Sequence, residues 1–319
     1  MPFNEKFKKF LGIKTKEELE ETKTPKEKFI EFIKSLLWAA VAAFFIITFI
    51  AQNTRIPTGS MESTILVGDF VIVNKFIFGS TSPRYIPFTE IKLPYFRLPA
   101  IRKPRPKDVV VFEYPGDQDE LYPGESQRPG SIPRGTNYVK RLVGMPGDII
   151  FIKDKVLFVN GKEFFRPPCV QYLSPVPQPV GMVEPDMFPP GKQWNRDNYG
   201  PLRVPRKGDM IRLTVDNIKE WEIIIDREYG KRVVDIKNST VTIEGQPVAS
   251  YTLKKNYYFM MGDNRDVSAD SRFWGFVPDD MIVGTGFITL FSWDRDIPFS
   301  EFGKLIGSIR PERTLKLIH

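Results

Sequence analysis

The 319-residue chain has little of the side chains that most often perform catalysis or bind metals. Its one histidine is the last residue, His319, and its one cysteine is Cys169. A single cysteine excludes an intrachain disulfide, and these two residues do not make up a usual zinc or iron–sulfur ligand set. We therefore predict no metal and no cofactor. A serine nucleophile, if the chain has one, would have to be activated by a lysine rather than by a histidine.

The chain also lacks the charge pattern of a nucleic-acid-binding protein. Its net charge of +7 is mild for its length, and no stripe of Arg and Lys is interleaved with aromatic residues. A clustered basic stripe is the electrostatic footprint by which nucleic-acid-binding proteins are recognised. We therefore predict no nucleic-acid partner.

One long segment has no charged residue at all. Residues 35–51 are apolar over 17 positions, which as a helix span about 25 Å of a membrane. Thr24 with Glu27 forms a capping-box pattern, and Pro25 suits the first helical position, so we expect the helix to begin near Pro25. A buried core helix would show a polar face, and a cleaved signal peptide would show a small-x-small cleavage pattern. The segment shows neither of these features. We predict a transmembrane helix over residues 35–51.

Lysines are concentrated before this segment. Lys23, Lys26, Lys28 and Lys34 precede it, whereas only Arg55 lies close after it. The positive-inside rule then places residues 1–34 in the cytoplasm and the rest of the chain outside. The expected location is the cytoplasmic (inner) membrane, crossed once.

The body of the chain reads as β-structure. Four Gly-Asp or Lys-Asp pairs, at positions 68–69, 107–108, 147–148 and 208–209, each open a β-type run. Asn160-Gly161 and Glu244-Gly245 lie between such runs, which is typical of hairpins. These runs predict a mostly β fold of antiparallel sheets.

Two segments interrupt the β pattern. Residues 167–190 are rich in proline and read as an extended loop, while residues 216–228 show a helical pattern that Gly230 would end. We therefore predict an insertion with a small α/β subdomain at 164–244, within a catalytic β domain formed by 52–163 and 245–319. The Pro-rich residues 79–106 either cover a sheet edge or dock on the outer leaflet.

Three short segments carry the candidate chemistry: residues 57–61 (PTGSM), 138–148 (YVKRLVGMPGD) and 261–275 (MGDNRDVSADSRFWG). Ser60 sits on a glycine turn that lets the backbone approach a substrate. Lys140 lies in a β-type run, where burial would lower its pKa and alternation would turn Lys140 inward and Arg141 outward. An ordinary turn serine and a solvated strand lysine are the bland alternatives. The order of serine before lysine also occurs in penicillin-binding proteins, but these need a lysine three residues after the serine. That position after Ser60 is Ser63, so this alternative is excluded.

In their order, and downstream of an anchor, the three segments resemble the boxes of bacterial signal peptidase I. This family consists of membrane-bound Ser/Lys proteases that remove signal peptides from exported proteins. The resemblance covers roughly residues 35–78, 107–163 and 245–293. It implies a catalytic body of coiled antiparallel sheets, signal peptides of secretory preproteins as substrates, and the lipid bilayer as a partner.

The resemblance also implies residue roles. Ser60 would be the nucleophile and Lys140 the general base, with the Ser60 backbone N–H and the Thr58 hydroxyl as the oxyanion hole. Ser268 would hydrogen-bond and orient the lysine, and Asp270 with Arg272 would form a supporting ion pair. The implied substrate groove, which takes small residues such as Ala-x-Ala before the scissile bond, is lined by Ile56, Pro57, Met61, Tyr138 and Val139.

The sequence departs from the family pattern at three positions. Ser63 stands where proline is usual, Val267 where asparagine is common, and Lys107 where glycine usually precedes aspartate. None of these changes removes a catalytic group. The predicted function is a membrane-anchored endopeptidase that cleaves signal peptides. The alternatives are a catalytically silent, membrane-tethered β-domain that binds exported chains, and a self-cleaving Ser/Lys repressor, which the absence of a DNA-binding module disfavours.

Overall fold

The computed structural model describes residues 24–82, 93–128, 131–294 and 296–318. Most of the predicted cytoplasmic segment 1–34 and the middle of the Pro-rich segment 79–106 therefore lie outside the described residues. The chain divides into two compact units, Met1–Ile50 and Ala51–His319.

The first unit contains the apolar helix. Helix α1 spans Pro25–Phe45 and continues as a π-helical turn over Ile46–Ile50. Thr24 caps it: its side chain accepts from the Glu27 backbone N–H, and the Glu27 carboxylate accepts from the Thr24 backbone N–H. The predicted start at Pro25 is confirmed. By length and composition, Pro25–Ile50 is able to cross a membrane. Its end differs slightly from the prediction, because Ala51 already belongs to the first strand.

The second unit is mostly β. Its strands are β1 Ala51–Arg55, β2 Asp69–Asn74, β3 Val109–Glu113, β4 Asn137–Gly144, β5 Ile149–Lys153, β6 Val156–Val159, β7 Lys162–Glu163, β8 Tyr199–Arg203, β9 Met210–Arg212, β10 Val234–Lys237, β11 Thr240–Ile243, β12 Gln246–Pro247, β13 Ser250–Thr252, β14 Tyr257–Met261, β15 Val277–Pro278, β16 Ile282–Ser292 and β17 Lys316–Leu317. Its helices are α2 Ile218–Tyr229, α3 Ser271–Trp274 and α4 Phe302–Gly307, and short 3-10 turns occupy Gly59–Met61, Phe76–Phe78, Asp279–Met281, Phe299–Glu301 and Pro311–Arg313.

The largest sheet has eight strands in the order β1-β2-β16-β3-β4-β14-β15, with β17 also paired to β16. All of its pairings are antiparallel. The strands predicted after Gly68-Asp69 and Lys107-Asp108 are β2 and β3 of this sheet. This topology confirms the mostly β, antiparallel fold.

Three smaller sheets have the orders β7-β6-β5-β8, β10-β11-β12 and β13-β9. Both predicted hairpins are present, since β6 pairs with β7 and β11 pairs with β12. The predicted helix is α2, which ends at Gly230 in the left-handed conformation. Strand β8 comes from the predicted insertion 164–244 but pairs with β5, so one sheet crosses the proposed boundary at 163/164. The division into domains stays a prediction.

The hydrophobic core has three clusters that meet at β4. Val139 belongs to the cluster with Ile56 and Met61, Leu142 to one with Phe112 and Trp274, and Val143 to one with α2 and β8. Strand β4 is thus covered on both faces, and Lys140 lies in its middle.

Candidate active site

Ser60 lies in a short 3-10 turn, Gly59–Met61, that follows β1. Thr58 is its N-cap in extended conformation, and the Thr58 and Ser60 hydroxyl oxygens are 3.5 Å apart. The Ser60 side chain is buried, because Met61 anchors the turn in the core at 1% exposure. Near the start of a helix a backbone N–H has no acceptor within the helix, which leaves the Ser60 N–H available to a ligand.

Lys140 reaches Ser60 from β4. Its Nζ donates to Ser60 Oγ at 2.7 Å and to the Val139 carbonyl at 3.2 Å. The side chain is buried, and this desolvation lowers the pKa of Lys140 to about 8 even though the charges of Asp270 and Asp263 act to raise it. The site therefore holds a serine hydroxyl against an amine that is partly unprotonated at neutral pH.

A cleft of about 190 Å³ opens beside this pair. All five residues of the predicted groove line it: Ile56, Pro57, Met61, Tyr138 and Val139. The prediction missed several further lining residues, namely Thr54, Arg55, Thr136, Asn137, Val267 and Ala269. Among the described strands, only β3 pairs with residues 137–140, because β14 begins to pair with β4 at Arg141. In the part of the chain that the structure describes, the edge of β4 next to Lys140 is thus open.

The third box folds as a tight turn against Ser60. The Asn264 backbone N–H donates to the Ser60 carbonyl at 3.1 Å, and Asn264 Nδ2 donates to the Gly59 carbonyl at 3.1 Å. A Cβ at Gly262 would lie 2.6 Å from the Ser60 carbonyl oxygen and 2.2 Å from Ser268 Oγ, so only glycine fits there. The sequence did not indicate the role of Asn264 in holding the turn.

Ser268 lies beside this turn but does not make the expected contact. Its hydroxyl is buried and has no hydrogen-bond partner among the described residues. The predicted hydrogen bond from Ser268 to Lys140 is therefore wrong for this structure. The side chain packs against Gly262, whose lack of a Cβ makes room for it, instead of reaching the amine. An orienting role for Ser268 stays a prediction.

Asp270 and Arg272 form a buried, two-pronged ion pair. Arg272 Nε and Nη2 donate to the two Asp270 oxygens at 2.9 Å each, and Arg272 Nη2 also donates to the Arg265 carbonyl at 2.6 Å. Asp270 in turn accepts from the Gly262 backbone N–H at 3.1 Å. The arginine holds the pKa of Asp270 below its usual range despite burial. The ion pair therefore connects Gly262, at the start of the turn, with Asp270 and Arg272, which follow it.

Arg141 forms a second buried ion pair, which contradicts the expectation that it points outward. It does lie on the opposite face of β4 from Lys140, but that face is covered as well, and Arg141 is 1% exposed. Its Nε and Nη2 donate to Asp263 at 2.8 and 2.7 Å, and its Nη1 donates to the Lys107 carbonyl at 2.7 Å. Alternation predicted the face correctly and the exposure wrongly, because a strand between covered faces has no solvent side.

Among the described residues, no group of three or more His, Cys, Asp or Glu could hold a metal ion. The geometry around Ser60 is that of a serine beside a buried lysine, next to a cleft along a strand edge that is unpaired among the described residues.

Comparison with known proteins places the chain in a family. A family sequence model described as "Signal peptidase, peptidase S26" matches residues 29–291. The chain belongs to the signal peptidase family, peptidase S26. The recognition made from the three segments is thereby confirmed, and so is the assignment to a class of serine peptidases.

Two curated members of the family illustrate the similarity. The chain is 31% identical over 287 residues to the signal peptidase I of Haemophilus influenzae, covering 83% of this chain and 70% of that protein. It is 28% identical over 287 residues to the signal peptidase I of Buchnera aphidicola subsp. Acyrthosiphon pisum, covering 88% and 80%. A crystal structure of a signal peptidase I from Enterococcus faecalis aligns with 58% of this chain and 97% of that chain at 18% identity, with a TM-score of 0.25 that is too low to support an argument about the fold.

The departures from the signal peptidase pattern have visible structural consequences. Ser63 has a φ of +83°, which proline cannot adopt, and its hydroxyl donates to Gln171 Oε1 at 2.9 Å. Lys107 has a φ of +79°, so it occupies a glycine-type conformation at a steric cost. Val267 is half exposed and lines the cleft. These three positions change the supports and the rim of the site but leave the Ser60–Lys140 contact intact.

Proposed function

We propose that this protein is a membrane-anchored endopeptidase that removes N-terminal signal peptides from exported preproteins, with Ser60 as nucleophile and Lys140 as general base. The observation that carries the proposal is the 2.7 Å contact between Ser60 Oγ and the Nζ of a buried lysine. The names of the curated relatives support the substrate class.

The reaction begins with a proton transfer from Ser60 to Lys140. With a pKa of about 8, roughly a tenth of Lys140 is a free amine at pH 7, whereas an ordinary lysine would leave fewer than about one in a thousand. The amine takes the hydroxyl proton as Ser60 Oγ attacks the scissile carbonyl. Protonated Lys140 then gives its proton to the leaving amine, and an acyl-enzyme remains. Water, deprotonated by Lys140, hydrolyses that ester.

The negative oxygen of the tetrahedral intermediate needs donors. The Ser60 backbone N–H and the Thr58 hydroxyl are the proposed pair, and Thr58 Oγ1 lies 3.5 Å from Ser60 Oγ. Donors fixed in a buried site stabilise a developing charge because they need no reorganisation during the reaction. Asn264 supports this arrangement by holding the carbonyls of Gly59 and Ser60.

The substrate is proposed to bind as an extended strand. The open edge of β4 at residues 137–140 offers backbone groups for strand addition, and the adjacent cleft takes the side chains. A cleft of about 190 Å³ with buried walls at Ile56 and Met61 suits small, apolar residues. This supports small residues such as Ala-x-Ala before the scissile bond.

Helix α1 (Pro25–Phe45) with its π-helical continuation is the proposed anchor. Its length and apolar character support a single crossing of the cytoplasmic membrane. The lysines before it and the scarcity of positive charge just after it support a cytoplasmic N-terminus and an extracytoplasmic catalytic body.

The test is cleavage of a reporter preprotein by the full chain in detergent micelles. Ser60→Ala, Lys140→Ala and the double variant should all fall to background, because nucleophile and base act as one unit and their losses do not add. Two matched controls, Ser250→Ala and Lys153→Ala, remove an exposed strand serine and an exposed strand lysine and should keep full activity.

The outcomes separate the alternatives. A folded Lys140→Ala enzyme with more than a few per cent of wild-type turnover would remove Lys140 as base. A wild-type protein that binds the preprotein without cutting it would instead support the catalytically silent, membrane-tethered β-domain.

A further inference from the structure

A second cavity, of about 460 Å³, lies away from the Ser60 cleft and shares no lining residue with it. Its walls come from the turn between β5 and β6, from the loop after β7, and from the third box. The residues that matter for its chemistry are Lys155, Arg166, Tyr172 and Arg265. The proposed peptidase reaction uses none of them.

Arg265 is the unusual member of this group. Its side chain is 4% exposed, and its Nε donates to the Gly262 carbonyl at 3.0 Å. In the described part of the chain, neither of its terminal nitrogens has an acceptor, and no carboxylate forms an ion pair with it. A buried guanidinium without a counter-charge is costly, and burial lowers the pKa of Arg265 accordingly.

The neighbouring buried cations, unlike Arg265, each have a carboxylate as counter-charge. Arg141 is paired with Asp263, and Arg272 with Asp270, each through two hydrogen bonds. Lys155, in the wall of the cavity, has two carboxylates, Asp197 at 3.2 Å and Asp266 at 3.4 Å. Arg265 is thus the one buried arginine of the third box without a counter-anion, and it is also the one that lines a cavity.

The rest of the cavity wall favours an anionic occupant. Arg166 places a second guanidinium at the exposed mouth, held by its bond to the Val170 carbonyl at 2.9 Å. The Tyr172 ring lies between Arg166 and Lys155, at 5.0 and 4.7 Å from their cationic groups. The acidic lining residues, Asp154 and Glu163, are exposed and so contribute a screened charge at the rim.

We propose that this cavity is an oxyanion-binding site, in which a carboxylate or phosphate accepts hydrogen bonds from the terminal nitrogens of Arg265 and is held at the mouth by Arg166. The fork of a guanidinium matches two oxygens of either anion, and such charge-assisted bonds are the strong ones. Through Gly262 and Asn264, Arg265 is joined to the turn that supports Ser60, so a bound anion stabilises that turn as well.

The experiment is calorimetric titration of the full chain in a neutral maltoside detergent, in chloride buffer at constant ionic strength. Inorganic phosphate is titrated in one arm and acetate in the other. We expect saturable binding to wild type. Arg265→Gln should weaken it by at least about tenfold, since a hydrogen bond to a charged group is lost, and Arg166→Gln by a smaller factor. Saturation by phosphate alone would assign the source as phosphate, and saturation by both anions would include carboxylates.

The matched control is Arg134→Gln, which removes one positive charge outside the cavity and should leave binding unchanged. Arg265 is buried, so Arg265→Gln could misfold. Two further variants are therefore titrated: Arg265→Lys, which keeps the positive charge, and Arg166→Gln, which changes an exposed side chain. The proposal is overturned if wild type shows no saturable binding of either anion. It is also overturned if a folded Arg265→Gln binds as tightly as wild type, or if Arg134→Gln loses binding as much as Arg265→Gln does.

Discussion

At the scale of single residues, the site depends on how strongly its surroundings disfavour the charge on Lys140. Desolvation on β4 is the largest influence and lowers the pKa, while Asp270 and Asp263 act in the opposite direction. Each carboxylate forms an ion pair with an arginine, Asp270 with Arg272 and Asp263 with Arg141, and the positive charge of the arginine opposes the effect of the carboxylate on Lys140. Burial therefore prevails, and the amine becomes usable as a base near neutral pH.

The first prediction concerns the pH dependence of kcat/KM, which reports the free enzyme. Because the unprotonated amine is the active form, kcat/KM should rise about tenfold per pH unit below pH 8 and level off above it. The measurement is initial-rate cleavage across pH 6 to 10, with circular dichroism at each pH as the control for folding. If kcat/KM kept rising up to pH 10, Lys140 would be an ordinary solvated lysine.

Ser268 presents a different residue-level problem. A buried hydroxyl without a partner costs about 1–3 kcal/mol, so its presence needs an explanation. A catalytic explanation is that the hydroxyl turns toward Lys140 when substrate fills the cleft. Ser271 is the natural comparison, because it is also buried but its Oγ accepts from the Met260 backbone N–H at 2.9 Å.

The second prediction contrasts these two serines. Ser268→Ala should lower kcat by about tenfold or more with little change in KM, and should not lower the melting temperature, since no hydrogen bond is lost. Ser271→Ala should do the reverse, losing stability by roughly 1 kcal/mol with kcat near wild type. Enzyme kinetics and thermal unfolding of both variants provide the check. A Ser268→Ala enzyme with wild-type kcat would assign Ser268 to packing alone.

At the scale of elements, the turn over residues 262–268 connects the whole site. Asn264 binds the Ser60 turn. Gly262 donates to Asp270, the partner of Arg272 in the first buried ion pair. Asp263 pairs with Arg141 and so connects the turn to β4. Such a turn has little freedom to move without displacing the nucleophile. At Gly262 the turn passes so close to Ser60 that a Cβ there would lie 2.6 Å from the Ser60 carbonyl oxygen.

The third prediction is that Gly262→Ala strongly lowers kcat. The added methyl group would lie 2.6 Å from the Ser60 carbonyl oxygen, and the resulting shift of about 1 Å should cost on the order of 100-fold in kcat. The matched control is Gly303→Ala in α4 (Phe302–Gly307), where a methyl group meets nothing within 4 Å. Cleavage rates and melting temperatures of both variants test this. Wild-type kcat in Gly262→Ala would show that the turn is adaptable.

Elements were predictable where the signal is local. The Gly-Asp pairs, the hairpin turns and the Thr24 cap each fix a short stretch of backbone, and the strands and helices follow them. Long-range pairings were not predictable, such as β16 (Ile282–Ser292) between β2 and β3. The choice of a strand partner depends on packing against residues far along the chain, and alternation within one strand does not specify it.

The residues of the site also divide into those that a local segment predicts and those that depend on long-range packing. Ser60, Lys140 and the Asp270–Arg272 pair could be named from the resemblance because each lies within a recognisable segment. The pairing of Arg141 with Asp263 could not, because it requires knowing that the far face of β4 is covered. The contact predicted for Ser268 is absent, because the partner of a hydroxyl depends on distances and angles that the sequence does not specify.

At the scale of the whole molecule, the chain has two units, Met1–Ile50, which contains the apolar helix Pro25–Ile50, and Ala51–His319, the β unit. A peptidase for exported chains has to meet its substrate at the membrane, and on the proposed function the apolar helix would be the anchor that confines the β unit to that surface. Confinement raises the local concentration of any substrate that is itself tethered there, as a signal peptide in the bilayer is. This advantage exists only on the side of the membrane where the β unit lies.

The fourth prediction concerns that side. Lys23, Lys26, Lys28 and Lys34 flank the start of the helix, and the positive-inside rule then orients the chain with its N-terminus in the cytoplasm. Protease added to intact spheroplasts should digest the β unit and spare the N-terminal segment, detected with antibodies against a tag at each end. Detergent lysis, which exposes both sides, is the control for accessibility. Replacing the four lysines by serine and adding lysines just after residue 52 should weaken the preference for this orientation. If the β unit of the wild-type chain were instead protected in spheroplasts, the orientation would be reversed, and Ser60 would lie on the side of the membrane from which exported chains have already departed.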